Sequence, residues 1–128
     1  MAQATVEFLK FSADARGLVF EPMAGDALFA QRNVHVVITE PGCVRGNHAH
    51  REGTEVAVVL GPALVRLREE GAARDVAVAE GQACRLTLPP GVAHAFRNTG
   101  GSPMLLVCFN TVAFNPQQPD VVRDVLFE

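Results

Sequence analysis

The chain is a succession of short apolar runs, each cut off by glycine, proline, asparagine or aspartate. They read TVEFLKF, GLVFE, VHVVIT, RGNHAHR, EVAVVL, ALVRLRE, DVAVAE, ACRLTL, HAFRN and MLLVCFN. ALVRLRE and DVAVAE alternate apolar and polar positions with a period of two and are joined by EGAAR, which predicts a hairpin. EVAVVL is apolar without interruption and predicts a strand buried on both faces. GPAL, EGQA, PPGVA and TGGSP punctuate the runs as turns. Only PMAGDALFAQR (22 to 32) and the tail PDVVRDVLFE leave room for a helical period. Many short strands at regular spacing predict an all-β fold, a sandwich or small barrel closed as a jelly roll. No repeat, low-complexity segment or linker interrupts the series, so the 128 residues read as one domain.

Composition narrows the function classes. The hydrophobic share is 48% and the charged share 20%, ordinary for a globular domain. The net charge of −3 and the absence of a basic run argue against nucleic acid as a partner. No apolar stretch approaches the ~20 residues of a membrane helix, so no membrane partner is expected. MAQATVEFLKF lacks the charged start and apolar run of a signal peptide, and the expected location is the cytoplasm. Cys43, Cys84 and Cys108 are odd in number and unrelated in spacing, as reduced cytosolic thiols would be. There is no tyrosine or tryptophan, Lys10 is the only lysine, and Ser12 and Ser102 are the only serines, neither in a nucleophile elbow. Chemistry therefore falls to His, carboxylates, Arg, Cys or a cofactor.

GCVRGNHAHREGTE (42 to 55) is the stretch best suited to chemistry. Alternation along a strand turns His48 and His50 to the same face. The turn REGT then places Glu55 across a tight hairpin, within reach of both. Two imidazoles and a carboxylate on one face are three metal ligands. His94 follows the turn LPPGVA and opens the strand HAFRN. The spacings are Gly42-x5-His48-x-His50-x4-Glu55-x5-Gly61 and Gly81-x7-Pro89-x-Gly91-x2-His94-x3-Asn98.

These two stretches resemble the paired motifs of the cupin superfamily, G-x5-H-x-H-x3–4-E-x6-G and G-x5-P-x-G-x2-H-x3-N. They depart only in spacing, one residue short before Gly61 and two long before Pro89. The resemblance implies a small double-stranded β-helix, the jelly-roll cupin barrel. It also implies a divalent metal held by His48, His50, Glu55 and His94, zinc foremost, with iron, manganese or nickel as alternatives. Some cupin enzymes instead use the same histidines as acid and base without metal. His48 and His50 would then be catalytic, and the two roles exclude each other.

The flanks DARGLVFEP, QRNVHVVITEPGCVRGNHAH, LPPGVAHAFRNTG and FNPQQPD resemble sugar-nucleotide cupins. They are most similar to the cupin domain of capsular-polysaccharide reductase/epimerases and, next, to nucleotide-linked keto-hexose ketoisomerases. By that resemblance Arg16 and Arg45 would bind a nucleotide diphosphate, a role suited to a planar bidentate donor. Strict alternation turns Arg45 away from His48, so its role requires a bulge at Gly46 or a contribution across a dimer. Arg32 and His35 lie where ketoisomerases place residues near the sugar, and Phe96 shares the parity of His94. Asn98 is expected to support its strand end.

The implied activity is a metal-dependent isomerase or epimerase of a nucleotide-linked keto-sugar, with His35 or Glu21 as base when the other histidines hold metal. The alternatives are a metal-dependent cupin dioxygenase and a small-ligand-binding cupin without catalysis. Ala49 between the histidines, the missing tyrosine acid and the presence of Glu55 depart from one or another of these families. Cupins pair as homodimers through N-terminal strands, a part TVEFLKF could play.

Overall fold

The computed structural model describes residues 3–128; Met1 and Ala2, which head the stretch read above for a signal peptide, lie outside the described residues. In chain order the elements are β1 (Thr5–Phe8), β2 (Ser12–Asp14), β3 (Gly17–Val19), α1 (Asp26–Phe29), β4 (Asn33–Thr39), β5 (Val44–His50) and β6 (Glu55–Leu60). They continue with β7 (Ala63–Glu69), β8 (Ala72–Val78), β9 (Ala83–Leu88), β10 (Ala93–Asn98), β11 (Met104–Asn110) and β12 (Val121–Arg123). Two five-stranded antiparallel sheets face each other, ordered β1-β9-β6-β11-β4 and β12-β5-β10-β7-β8, and β2–β3 is a separate hairpin. This is the jelly roll predicted from the strand pattern. No helix of the described residues is long and apolar enough to cross a membrane.

The core lies between the sheets. Ala57 and Val59 of β6, Leu86 and Leu88 of β9, and Leu106 and Cys108 of β11 meet Val65 and Leu67 of β7 and Phe96 of β10. EVAVVL is buried on both sides as expected. Ala57 and Val59 join this core, while Val56 and Val58 are covered on the outer face by Met23, Leu9 and Phe20. The β7–β8 hairpin is tighter than EGAAR suggests. Glu69 pairs with Ala72, and the two loop residues Glu70 and Gly71 have φ of 52° and 81°, the positive values that such a turn needs to follow the strand twist.

Two expectations change. PMAGDALFAQR yields a helix of only four residues, none of them buried, since a single turn without a packed apolar side does not propagate. The tail PDVVRDVLFE is not helical: Val121–Arg123 adds a strand beside β5, and Leu126 and Phe127 then pack outside the second sheet against Ala93 and Ala95. The Asn47 carboxamide holds this tail, accepting from the backbone N–H of Leu126 (2.9 Å) and Phe127 (3.1 Å) and donating to the Phe127 carbonyl (3.1 Å). Guanidinium groups of Arg66 and Arg97 flank the Phe127 ring at 4.3 and 4.4 Å. These long-range partners override the local helical period. β1, the strand read for dimer exchange, pairs with β9 of its own chain.

Leu86 is fully enclosed and Leu28 is 46% exposed. Leu86→Ala is expected to lower unfolding stability by about 2–5 kcal/mol and Leu28→Ala by no more than about 0.5 kcal/mol, read from denaturant midpoints at unchanged slope.

Candidate active site

β5 carries His48 and His50, β10 carries His94, and Glu55 opens β6. Each offers one ligand atom, and these four atoms lie within 4.8 Å of one another. His48 and His94 are direct partners across β5 and β10. The REGT turn does not close the expected hairpin. β5 and β6 belong to different sheets, so the turn carries the chain across the barrel and Glu55 meets the histidines over the interior.

The irregularity that Arg45 requires is present. Register shifts between His94 and Ala95, leaving Asn47 as the extra residue of β5, and Gly46 and Asn47 have φ of 95° and 58°. Gly46 is the residue this position demands, since a Cβ would stand 2.7 Å from the His94 carbonyl oxygen. The shift pairs Arg45 with Phe96 and His48 with His94, which turns Arg45 to the face of the histidines.

Glu55 is 3% exposed and His94 1%. Glu55 Oε2 lies 2.9 Å from His94 Nε2, and Oε1 lies 3.4 Å from His50 Nε2. Burial alone would raise the Glu55 pKa, but His50 and His94 hold it well below the usual carboxylate range. His48 is lowered to about 4, first by burial and then by the neighbouring His94, and so presents a neutral imidazole. His50 is raised: burial opposes this, but the carboxylates of Glu55 and Asp120 outweigh it.

The donor set fits a divalent metal. His94 Nδ1 lies 3.1 Å from the Val92 carbonyl, to which it donates when protonated, leaving the Nε2 lone pair toward the centre. His94 Nε2 and both ring nitrogens of His50 are buried without an aligned hydrogen-bond partner, as unmet metal ligands would be. A second set, His35, Glu55 and Cys108, also brings its ligand atoms within 4.8 Å. Burial, and after it the Glu55 carboxylate, push the Cys108 thiol far above its usual range.

The cluster opens into a cavity of about 490 Å³, lined on one side by Asn33 and His35 and on another by the segment Val112–Asn115 with Pro119 to Val121. Sequence reasoning placed His48, His50 and His35 here, and all three line it with Glu55. Phe96 packs in the core, its ring 6.0 Å from that of His94, and does not line the cavity. The arginines also stand outside the lining. Arg16 tips the β2–β3 hairpin with its side chain 90% exposed and paired to Asp14 at 2.6 Å, Arg32 is exposed just before β4, and Arg45 is exposed despite its inward face. Glu21 is exposed on a different surface with Lys10 and Phe20. Asn98 caps its strand end, donating to the Thr39 and Ser102 carbonyls and accepting from Gly100.

Sequence reasoning missed Asp120, although it closes the quoted FNPQQPD. Its carboxylate accepts the backbone N–H groups of Glu52 and Gly53, both at 2.9 Å, and approaches His50 Nδ1 at 3.5 Å. It thereby clamps the turn between two ligand-bearing strands. Gly53 is required there, because a Cβ would run into Asn110 and Asp120. Arg123 was missed too: it pairs with His48 just as cavity-lining Val121 pairs with His50, so both share the inward face.

Comparison with known proteins bears on this site. The model of the polysaccharide biosynthesis C-terminal domain matches residues 12–122. The spore coat polysaccharide biosynthesis protein SpsL of Bacillus subtilis is 29% identical over 91 residues, covering 65% of this chain and 60% of SpsL. The capsular polysaccharide assembling protein CapF of Staphylococcus aureus superposes with a TM-score of 0.68 at 25% identity, over 94% of this chain and 33% of CapF. The chain thus corresponds to only part of either relative. QdtA, a sugar 3,4-ketoisomerase of Thermoanaerobacterium thermosaccharolyticum solved with TDP, superposes with a TM-score of 0.73 at 16% identity, over 94% of this chain and 88% of QdtA, and shares the cupin-type jelly roll.

The displaced His48 sets a pH dependence. Its ordinary value is 6.5 and its folded value about 4, so between these the unfolded chain binds a proton that the folded chain refuses. Acidification through that window must cost stability. For metal-free protein, wild type is expected to lose about 1–2 kcal/mol more than His48→Asn between those values, after allowance for solvent screening of a partly exposed ring. Parallel stability curves for the two proteins would contradict this assignment.

Proposed function

The chain belongs to the polysaccharide biosynthesis C-terminal domain family, and from that membership we propose that it isomerises or epimerises a nucleotide-diphosphate-linked keto-sugar with the help of a divalent metal. The observation that carries the reading is the His48, His50, Glu55 and His94 cluster, of which His48, His50 and Glu55 line a cavity that also presents the unengaged His35. A volume of about 490 Å³ lies within the roughly 300–1,000 Å³ range of small-molecule sites.

His48, His50, Glu55 and His94 would hold the metal, with zinc the first choice for this donor set and iron, manganese or nickel as alternatives. When bound, the ion supplies Lewis-acid polarisation of the sugar carbonyl, which eases enolisation. His35 is the base: it lines the cavity, lies outside the four-ligand set and takes the proton α to the carbonyl. Return of a proton to the opposite face gives an epimer; return to the former carbonyl carbon, with the neighbouring hydroxyl proton passing to the old carbonyl oxygen, gives the keto isomer. Asp120 orients His50 through Nδ1 and keeps the turn to Glu55 in place. Val112, Phe114 and Val121 give the sugar an apolar wall and shield the reacting carbon from water.

The cavity lining contains Glu55 and Asp120 but no lysine or arginine. The diphosphate therefore belongs outside the lining, and Arg45 and Arg123, both turned to the inward face, are the cations to receive it. The resemblance of the chain to SpsL and CapF supports a part in polysaccharide biosynthesis.

Elemental analysis and calorimetric zinc titration are expected to give one ion per chain, with His94→Ala weakening affinity at least 10-fold. In D₂O with a TDP-linked 4-keto-6-deoxyhexose, proton NMR is expected to show deuterium entering beside the carbonyl. His35→Asn should slow this about 10²–10⁴-fold. Metal-loaded protein that exchanges no proton of such sugars would overturn the enzymatic reading. Full exchange in chelated protein would overturn the metal's part in it and leave His48 and His50 as acid and base.

A further inference from the structure

Beside the four-ligand cluster, the inner face of the first sheet carries a second set of donors. Register places His35 of β4 directly opposite Cys108 of β11, and Cys108 opposite Ala57 of β6. The neighbouring row on the same face is Asn33, Asn110 and Glu55, so Glu55 stands diagonally across from Cys108. Ala57 contributes only a methyl group to this corner. Three strands thereby bring a His35 ring nitrogen, the Cys108 sulfur and a Glu55 carboxylate oxygen within 4.8 Å of one another.

The polar contacts of this region are those of Glu55 with His50 and His94, of Asp120 with His50 and of His94 with the Val92 carbonyl. The His35 ring and the Cys108 thiol take part in none of them. Burial by itself does not explain the arrangement. Cys84 is buried as deeply, but its strand partners are Phe8 and Val59, and it joins no ligand cluster among the described residues. Cys108 meets instead an imidazole that faces the cavity and a carboxylate that already serves the first set. The cavity gives an ion a way in, because His35 is exposed there while Cys108 is buried. A carboxylate has two oxygens and can bridge two ions about 3.5–4 Å apart, as in two-metal sites. Sulfur together with nitrogen and oxygen suits zinc, cobalt or cadmium better than magnesium or calcium.

We propose that His35, Cys108 and Glu55 are a second metal site, which takes a borderline or soft divalent ion such as zinc. It shares Glu55 with the ion on His48, His50 and His94. Binding moves the thiol proton to solvent and puts the sulfur on the ion. With three protein ligands against four, this site is the weaker and fills only in excess metal. Its effect on turnover rests on the reading of His35 as the base. An imidazole with an ion on one nitrogen and a proton on the other has no lone pair left for a substrate proton. The second ion is therefore inhibitory: one ion per chain activates, and a second silences the base.

Cobalt(II) titration of the chelated full chain, followed by absorption, separates the two sites, because only Cys108 brings sulfur to either. The first equivalent is expected to give visible d–d bands alone, and excess cobalt a further near-ultraviolet sulfur-to-cobalt charge-transfer band. Cys108→Ala should lose that band and keep the first equivalent, which shows that the fold survives. His35→Asn should weaken the second ion at least about 10-fold and the first by no more than about threefold. Excess zinc should slow deuterium exchange of the keto-sugar at least about 10-fold in wild type and leave the rate of Cys108→Ala unchanged. The absence of a charge-transfer band in excess cobalt, or its persistence in Cys108→Ala, would overturn the second site. Zinc inhibition that is equal in the two proteins would overturn its inhibitory role. A chain that shows the band yet exchanges no proton retains the second site and loses only the enzymatic reading.

Discussion

The Glu55 carboxylate is taken almost wholly out of water, and no lysine or arginine lies in the cavity beside it. A buried carboxylate is costly unless something compensates its charge. What surrounds it here is imidazole: His94 Nε2 at 2.9 Å and His50 Nε2 at 3.4 Å, with the His48 ring 4.8 Å from that of His94. Imidazoles can meet the charge in two ways, by taking up a proton or by sharing a cation. Much of the surrounding architecture keeps those three rings converged on one carboxylate.

That convergence has to be built across two sheets. His48, His50 and His94 come from one sheet and Glu55 from the other, so the strand-to-strand turn must be held to a fixed geometry. Asp120 does this from the C-terminal segment by accepting two successive backbone amides of the turn. Asn47 does related work one residue before His48. Its left-handed backbone forms the bulge, and its carboxamide pins Leu126 and Phe127 against the outer side of the same sheet. The last residues of the chain are thus mechanically tied to the first histidine of the site. The outer faces follow a parallel logic: the tail covers Ala93 and Ala95, and the segment around Phe20 and Met23 covers Val56 and Val58.

Much of this was legible beforehand. Strand identity came from runs of apolar and β-branched residues between turn formers, a local signal that survives folding. The His-x-His pair was legible because alternation fixes facing, and His94 and Glu55 because the resemblance to cupins joins two distant motifs. Arg45 was legible as a conditional case, since parity forbade what Gly46 and Asn47 then permitted. Asp120 was not, because a carboxylate accepting amides 67 and 68 residues away leaves no local pattern. Phe96 shares the parity of His94, but parity separates inside from outside and cannot separate core from cavity.

The sequence by itself determined the elements and the chemistry available, because these depend on composition and on spacings of a few residues, and only the resemblance to cupins joined His94 to His48, His50 and Glu55. Tertiary structure decided the rest. It turned the expected Glu55 hairpin into a crossing between sheets, made a strand and a packed tail of a helical-looking end, and left Arg16, Arg32 and Arg45 outside the cavity lining. Each of these outcomes depends on which distant backbone groups and side chains become neighbours. That is a property of sheet order and register, which no short window of residues contains.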